Sequence, residues 1–208
     1  MTTLSDLRTQ VAADLRDAAF DTWTSDEIDD LINQGIDAVG DVYPRQIVQT
    51  IGTVSASVSS YSASAFRYVF RLDIYTSAGS YDGEMPHAIS GADSGWEFHN
   101  GIIYLPPNWM PDAGDTLRAW GYGSYVQLSS STSTTDLDTS AQNAVRVFCQ
   151  AEGFHRLIAS RVAYQQWQSQ SANTDVTALA LNQIAFNASR RWETEKARLR
   201  GRGFRRLG

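Results

Sequence analysis

The chain has 208 residues, 42% of them hydrophobic, with a net charge of −6 at pH 7 and a single cysteine, Cys149. That length makes one domain, or one domain with a large insertion, with enough apolar surface to build a real core. One cysteine excludes an internal disulfide and fits a reducing compartment, no run of about 18 apolar residues offers a transmembrane helix, and the N-terminus lacks the basic and apolar regions of a secretory signal.

The charge is unevenly placed. Residues 1–189 hold nine basic residues and 21 acids, whereas residues 190–208 hold eight basic residues and two acids. An acidic body with a basic end suggests an end that docks on an acidic surface or on phosphate. Phe204 and Leu207, set among Arg200, Arg202, Arg205 and Arg206, are apolar anchors that a purely solvated tail does not need.

In chain order, Leu4, Leu7, Val11, Leu15 and Ala18 recur with helical period, so residues 3–19 read as a first helix capped by Thr3 or Ser5. After the short connection Phe20-Asp21-Thr22, Thr24 and Glu27 have capping-box spacing, and Trp23 and Ile28 occupy the two positions of a hydrophobic staple. Ile28, Leu31, Ile32, Gly35, Ile36 and Val39 continue one apolar stripe, predicting a helix over 24–40 closed by Gly40.

The texture changes at Arg45. Residues 47–51 and Thr53–Ser59 alternate with period two. Phe66–Tyr75 places Phe66, Tyr68, Phe70, Leu72 and Ile74 on one parity and Arg67, Val69, Arg71, Asp73 and Tyr75 on the other. Gly79–Gly95 reads as a long loop. Residues 96–99 and 102–105 flank Asn100-Gly101 as a hairpin, and Thr116–Tyr125 is a further strand. Residues 45–128 thus form an antiparallel β module of five or six strands, a sandwich or small barrel. Residues 129–138 are a polar linker. Thr139 or Ser140 caps a helix over 141–170, and Thr174 or Asp175 caps a last helix to Leu199. Gly201 and Gly203 then leave an extended Arg-rich tail, residues 201–208. The fold class is α+β: a bundle from two N-terminal and two C-terminal helices (1–44 with 139–200) and an inserted antiparallel β module.

Catalysis needs a nucleophile with its base, a metal cluster or a phosphate cradle. His87, His99 and His155 have no ligand partner at metal-site spacing, and Cys149 lies in an amphipathic helix as a small hydrophobe. In residues 91–95 the serine is one place too late for a nucleophile elbow, and Gly121-Tyr-Gly123 lacks the lysine of a P-loop. The acids of 26–30 have no EF-hand register and suit the first turn of a helix. No catalytic, metal or cofactor site is expected. The aromatic content of the β module, including Trp96, Trp109 and Trp120, leaves open a stacking platform for sugars or single-stranded nucleic acid, although a nucleic-acid platform needs basic neighbours and the module has only Arg45, Arg67, Arg71 and Arg118.

Trp23-Thr-Ser-Asp-Glu-Ile followed by Leu31-Ile-Asn-Gln-Gly resembles a signature of the head–tail connector (neck adaptor) proteins of tailed bacteriophages. The resemblance extends to the preceding helix, residues 4–19, and to the helices of 140–200, and the long β insertion departs from the smallest adaptors. It implies a non-enzymatic structural protein of the virion neck, made in the host cytoplasm, that forms a ring, typically a dodecamer. The resemblance further implies attachment to the portal through the C-terminal segment (Arg200, Arg202, Phe204, Arg205, Arg206, Leu207), contact with the next neck or tail-completion protein, and DNA passing through the lumen without sequence-specific binding. No membrane is involved. A binding module acting through the aromatic β insertion is the alternative.

Overall fold

The computed structural model describes residues 2–88, 95–106 and 110–205, with side chains described as far as Gly201. Among them are five helices and seven strands. The helices are α1 (Leu4–Asp14), α2 (Ser25–Val42), α3 (Thr139–Ala159), α4 (Arg161–Gln168) and α5 (Ala178–Arg205). The strands are β1 (Arg45–Thr53), β2 (Ser60–Ser62), β3 (Phe66–Tyr75), β4 (Tyr81–Met85), β5 (Glu97–His99), β6 (Ile102–Tyr104) and β7 (Thr116–Gly123). The protein is α+β, and the chain divides into two compact units: Met1–Pro44 with Tyr125–Gly208, and Arg45–Ser124.

In the helical unit, Leu4, Leu7, Val11, Ile28, Leu31, Ile32, Ile36, Val39, Val145, Phe154, Leu157 and Leu181 share one buried core. These are the apolar stripes of the amphipathic helices, each of which needs another helix to cover it. Tyr125, Leu128 and Leu137 are buried in the same core. The segment between Leu128 and Leu137 meets the start of α1, with Leu4 N–H donating to Ser133 O at 2.9 Å.

Several helix boundaries differ from the expectation. α1 stops at Asp14 because Arg16 takes φ 57°, and the chain then turns around the buried carboxylate of Asp17. The helix expected over 141–170 is two helices, which raises the count from four to five. Ser160 leaves helical geometry (φ −119°, ψ 108°), and its hydroxyl accepts from Ala163 N–H at 3.3 Å, capping α4. That serine competes for backbone hydrogen bonds in the middle of an otherwise continuous stripe. Gly40 does not close α2; it is buried within the helix, which continues to Val42. Asp138, rather than Thr139 or Ser140, caps α3, accepting from Ala141 N–H at 2.8 Å. Thr177, rather than Thr174 or Asp175, accepts from Ala180 N–H at the start of α5. α5 runs through Gly201 and Gly203 to Arg205, so the basic segment is helical there rather than extended.

In the β unit, β1, β7, β3 and β4 form a four-stranded antiparallel sheet in that order, and β2, β6 and β5 form a three-stranded one. Val69, Leu72, Ile74, Met85, Trp96, Ile103, Leu117 and Ala119 fill one core. The hairpin turn at Asn100-Gly101 has both residues at positive φ (50° and 76°), as a two-residue type I′ connection requires. Two expectations fail. Gly79–Gly95 contains β4, and Thr53–Ser59 is not a strand beyond Thr53. The simple parity of β3 also breaks, because Tyr68 is 54% exposed while Val69 is 1% exposed. Arg67 and Phe70 are extra residues where the register slips against β7, so Phe66, Val69, Leu72 and Ile74 all face inward. Each bulge restores the inward face after one skipped residue. Glycines on β7 make room for them: a Cβ at Gly121 would lie 2.1 Å from Tyr68 O, and one at Gly123 would lie 2.3 Å from Ala65 O.

Candidate functional site

In the α1–α2 hairpin, most residues of the sequence signature make a contact or enter the core. Thr24 Oγ1 accepts from Glu27 N–H at 3.3 Å, and Thr24 N–H donates to Glu27 Oε2 at 2.8 Å, so the capping box is closed. Trp23 and Ile28, at the staple positions, are both buried in the helical core. Leu31 and Ile32 point into that core. Asn33 clamps the chain crossing beside it: its Nδ2 donates to Leu128 O at 3.0 Å, and Leu128 N–H donates to its Oδ1 at 2.9 Å. Gly35 lets α3 approach closely, since a Cβ there would sit 3.0 Å from Val145 Cγ1 and 3.1 Å from Phe148. Arg8 of α1 holds Asp29 of α2 through two parallel hydrogen bonds, Nε–Oδ1 at 2.8 Å and NH2–Oδ2 at 2.5 Å, and that pairing raises the Arg8 pKa. The apolar-apolar-Asn-x-Gly run is therefore a packing and clamping device rather than a catalytic one.

Sequence reasoning missed the hub that holds this hairpin together. Asp17 is fully buried, and its carboxylate accepts from the backbone N–H groups of Asp21, Thr22 and Trp23 and from Gln170 Nε2. The open carbonyls at the end of α1 are taken by distant donors: Trp167 Nε1 to Leu15 O at 2.8 Å, and Asn173 Nδ2 to Arg16 O at 3.0 Å. A helix end buried in a core needs such partners. The only hint in the sequence is a run of Asp and Thr between two helices, typical of side chains that bond nearby backbone.

α5 spans 28 residues, about 42 Å at 1.5 Å per residue. Leu181, Ala185, Ala188 and Leu199 are buried along it, and Trp192 packs on Phe148 with ring centroids 5.3 Å apart. Leu199 is the last of these. Arg200 beyond it is exposed, the backbone stays helical through Arg202, Phe204 and Arg205, and Arg206 and Leu207 lie outside the described residues.

The candidate platform of the β unit is only partly exposed. Trp96 is fully buried, with its Nε1 donating to Met85 O at 2.9 Å, and Trp109 lies outside the described residues. Trp120 stands on the face of the four-stranded sheet opposite Leu117 and Ala119, and its Nε1 donates to Asp73 Oδ2 at 2.7 Å. Arg71 bonds the other Asp73 oxygen at 2.6 Å, which raises its pKa, and Arg118 lies 4.6 Å from the Tyr75 ring centre.

No group of three His, Cys, Asp or Glu among the described residues is placed to hold a metal. Residues 91–94 lie outside the described residues. His155 Nε2 lies 2.7 Å from Ser189 Oγ, but that hydroxyl donates to Ala185 O at 2.9 Å and so accepts from the ring. A base for nucleophilic chemistry would instead take the hydroxyl proton. Cys149 is buried with its thiol against Leu31 O at 3.4 Å, and burial pushes its pKa up, away from a reactive thiolate. No described helix is long and apolar enough to cross a membrane.

The capped, stapled hairpin packed on C-terminal helices fits the resemblance to bacteriophage head–tail adaptors. The chain belongs to the SU10 adaptor protein family, whose sequence profile matches residues 2–204. No curated protein matches the chain. An adaptor family suggests a structural, non-enzymatic virion component.

Proposed function

We propose that this adaptor assembles as a dodecameric ring in the virion neck, joining the portal to the next neck or tail-completion protein. Genomic DNA passes through its lumen without sequence-specific binding. The observation that carries this reading is the end of α5, where the helix continues past the buried Leu199 to an exposed Arg200 and on into a segment rich in arginine. The charge of this segment suits an acidic portal surface. The acidic remainder of the chain favours a lumen that repels phosphate and lets DNA slide.

Deleting residues 200–208 tests the docking role. The deletion removes no residue described as buried, so the truncated chain is expected to keep its helical signal and melting temperature. It is expected to lose attachment to the portal protein of the same phage. Attachment at wild-type affinity would overturn the proposed role of the tail.

A second reading is favoured by the outer face of the four-stranded sheet, where Trp120, Arg71 and Tyr75 are held in a fixed hydrogen-bonded and stacked arrangement. Such a face suits a glycan or another tail protein. Trp120→Ala would then abolish that binding and leave portal attachment unchanged.

A further inference from the structure

The helical unit sorts its charge onto two helices. α2 carries six acids and no basic residue, whereas α5 carries seven basic residues and two acids. α3 lies between them: both pack along it, and they touch each other little. The acidic and basic faces are therefore two different patches on one unit.

On α2, Asp26, Asp30 and Asp37 are exposed, and their spacings of four and seven place them on one stripe. Neighbouring acids are already occupied, Asp29 by Arg8 and Glu27 by the cap at Thr24. On α5, Glu193 and Glu195 pair with Lys196 and Arg198. Arg190 and Arg191 are exposed with no acidic partner among the described residues; Arg190 lies 5.9 Å from the ring of Phe186, which is itself 55% exposed. Arg191 bonds only the neutral Gln150, at 3.1 Å.

We infer that neighbouring copies in the assembly meet through these two surfaces, with the Phe186–Arg190–Arg191 face of α5 on one copy against the Asp26–Asp30–Asp37 stripe of α2 on the next. This rests on the ring reading above. Charge complementarity selects the occupant as a second copy of this chain in head-to-tail orientation. A two-fold contact through either patch would set acid on acid or arginine on arginine, whereas unlike patches give a heterologous contact that closes into a ring. Phe186 supplies the apolar centre that an interface of exposed charges alone would lack.

The test uses the full chain mixed with its own phage portal protein, with ring yield read by native mass spectrometry. One variant is Asp30→Lys/Asp37→Lys, and the other is Arg190→Glu/Arg191→Glu. Each alone is expected to lower ring yield at least tenfold. An equimolar mixture of the two is expected to recover rings in which the variants alternate, because each interface again joins opposite charges. A chain carrying both pairs of substitutions is expected to form rings by itself. A simple folding defect would not be rescued by mixing. Wild-type yields from both single-surface variants, or no recovery in the mixture, would overturn this contact and leave the ring standing. A wild-type chain that stays monomeric on the portal would overturn the ring and the contact with it.

Discussion

Truncating Asp17 to alanine removes one buried carboxylate and leaves three backbone donors, the N–H groups of Asp21, Thr22 and Trp23, without their acceptor. The bond to Trp23 N–H, at 2.8 Å, is the buried one. Losing an acceptor for a buried donor costs about 1–3 kcal/mol, and bonds to a charged group lie toward the upper end. Asp21 is exposed and Thr22 half-buried, so their N–H groups can turn to water at smaller cost. The side-chain bond from Gln170 is lost as well. The expected total is about 3 kcal/mol, which for a chain of this size lowers the melting temperature by about 6–12 °C. Asp17→Asn keeps one acceptor but turns an N–H2 toward a backbone donor, so an intermediate loss is expected. The assay is thermal and urea unfolding followed at 222 nm, which reports the helical unit. Asp21→Ala, at an exposed position, is the control and is expected to change stability by less than about 0.5 kcal/mol. A loss below about 0.5 kcal/mol for Asp17→Ala would refute the claim that this carboxylate organises the turn.

Trp23→Ala removes a side chain that is 5% exposed at the staple position, and is expected to cost about 3 kcal/mol by the same assay. A shift under about 0.5 kcal/mol would mean that Trp23 is not a staple. Gly121→Ala places a Cβ 2.1 Å from Tyr68 O, so β3 and β7 must part at the bulge. A loss of about 3 kcal/mol is expected, confined to amide protection in the β unit, and wild-type exchange there would argue against an obligatory glycine.

What the sequence revealed and what it hid follow from the range of the interactions involved. The capping box and staple are local, lying within the six residues 23–28, so Trp23, Thr24, Glu27 and Ile28 are legible without tertiary information. The Asn100-Gly101 turn is legible for the same reason. The bulges of β3 are not, because the glycines that permit them sit about fifty residues away on β7, and only the pairing register connects the two. Gly121 and Gly123 fall inside the strand expected over Thr116–Tyr125, but nothing local marks them as clearance for a neighbouring strand. Asn33 and Asn173 were hidden in the same way, because their backbone partners Leu128 and Arg16 lie far along the chain; Asp17 bonds backbone four to six residues on, and the run of Asp and Thr there is a weak local hint. Ser160 divides a stripe that is apolar on both sides of it, so periodicity alone carries the helix straight through. At the other end, Gly201 and Gly203 suggested a stop. Each glycine costs a helix about 1 kcal/mol, which flanking arginines, good helix formers, can offset in part. The segment expected from the sequence to be an extended tail thus begins as a helix, which continues as far as Arg205.

The most direct test of the adaptor assignment is the mass of the purified protein, alone and mixed with portal rings of its own phage, by native mass spectrometry. A stoichiometric ring of twelve copies on the portal is the expected result. A chain that leaves the portal bare while retaining a glycan or another tail protein would contradict it and move the function to the β unit.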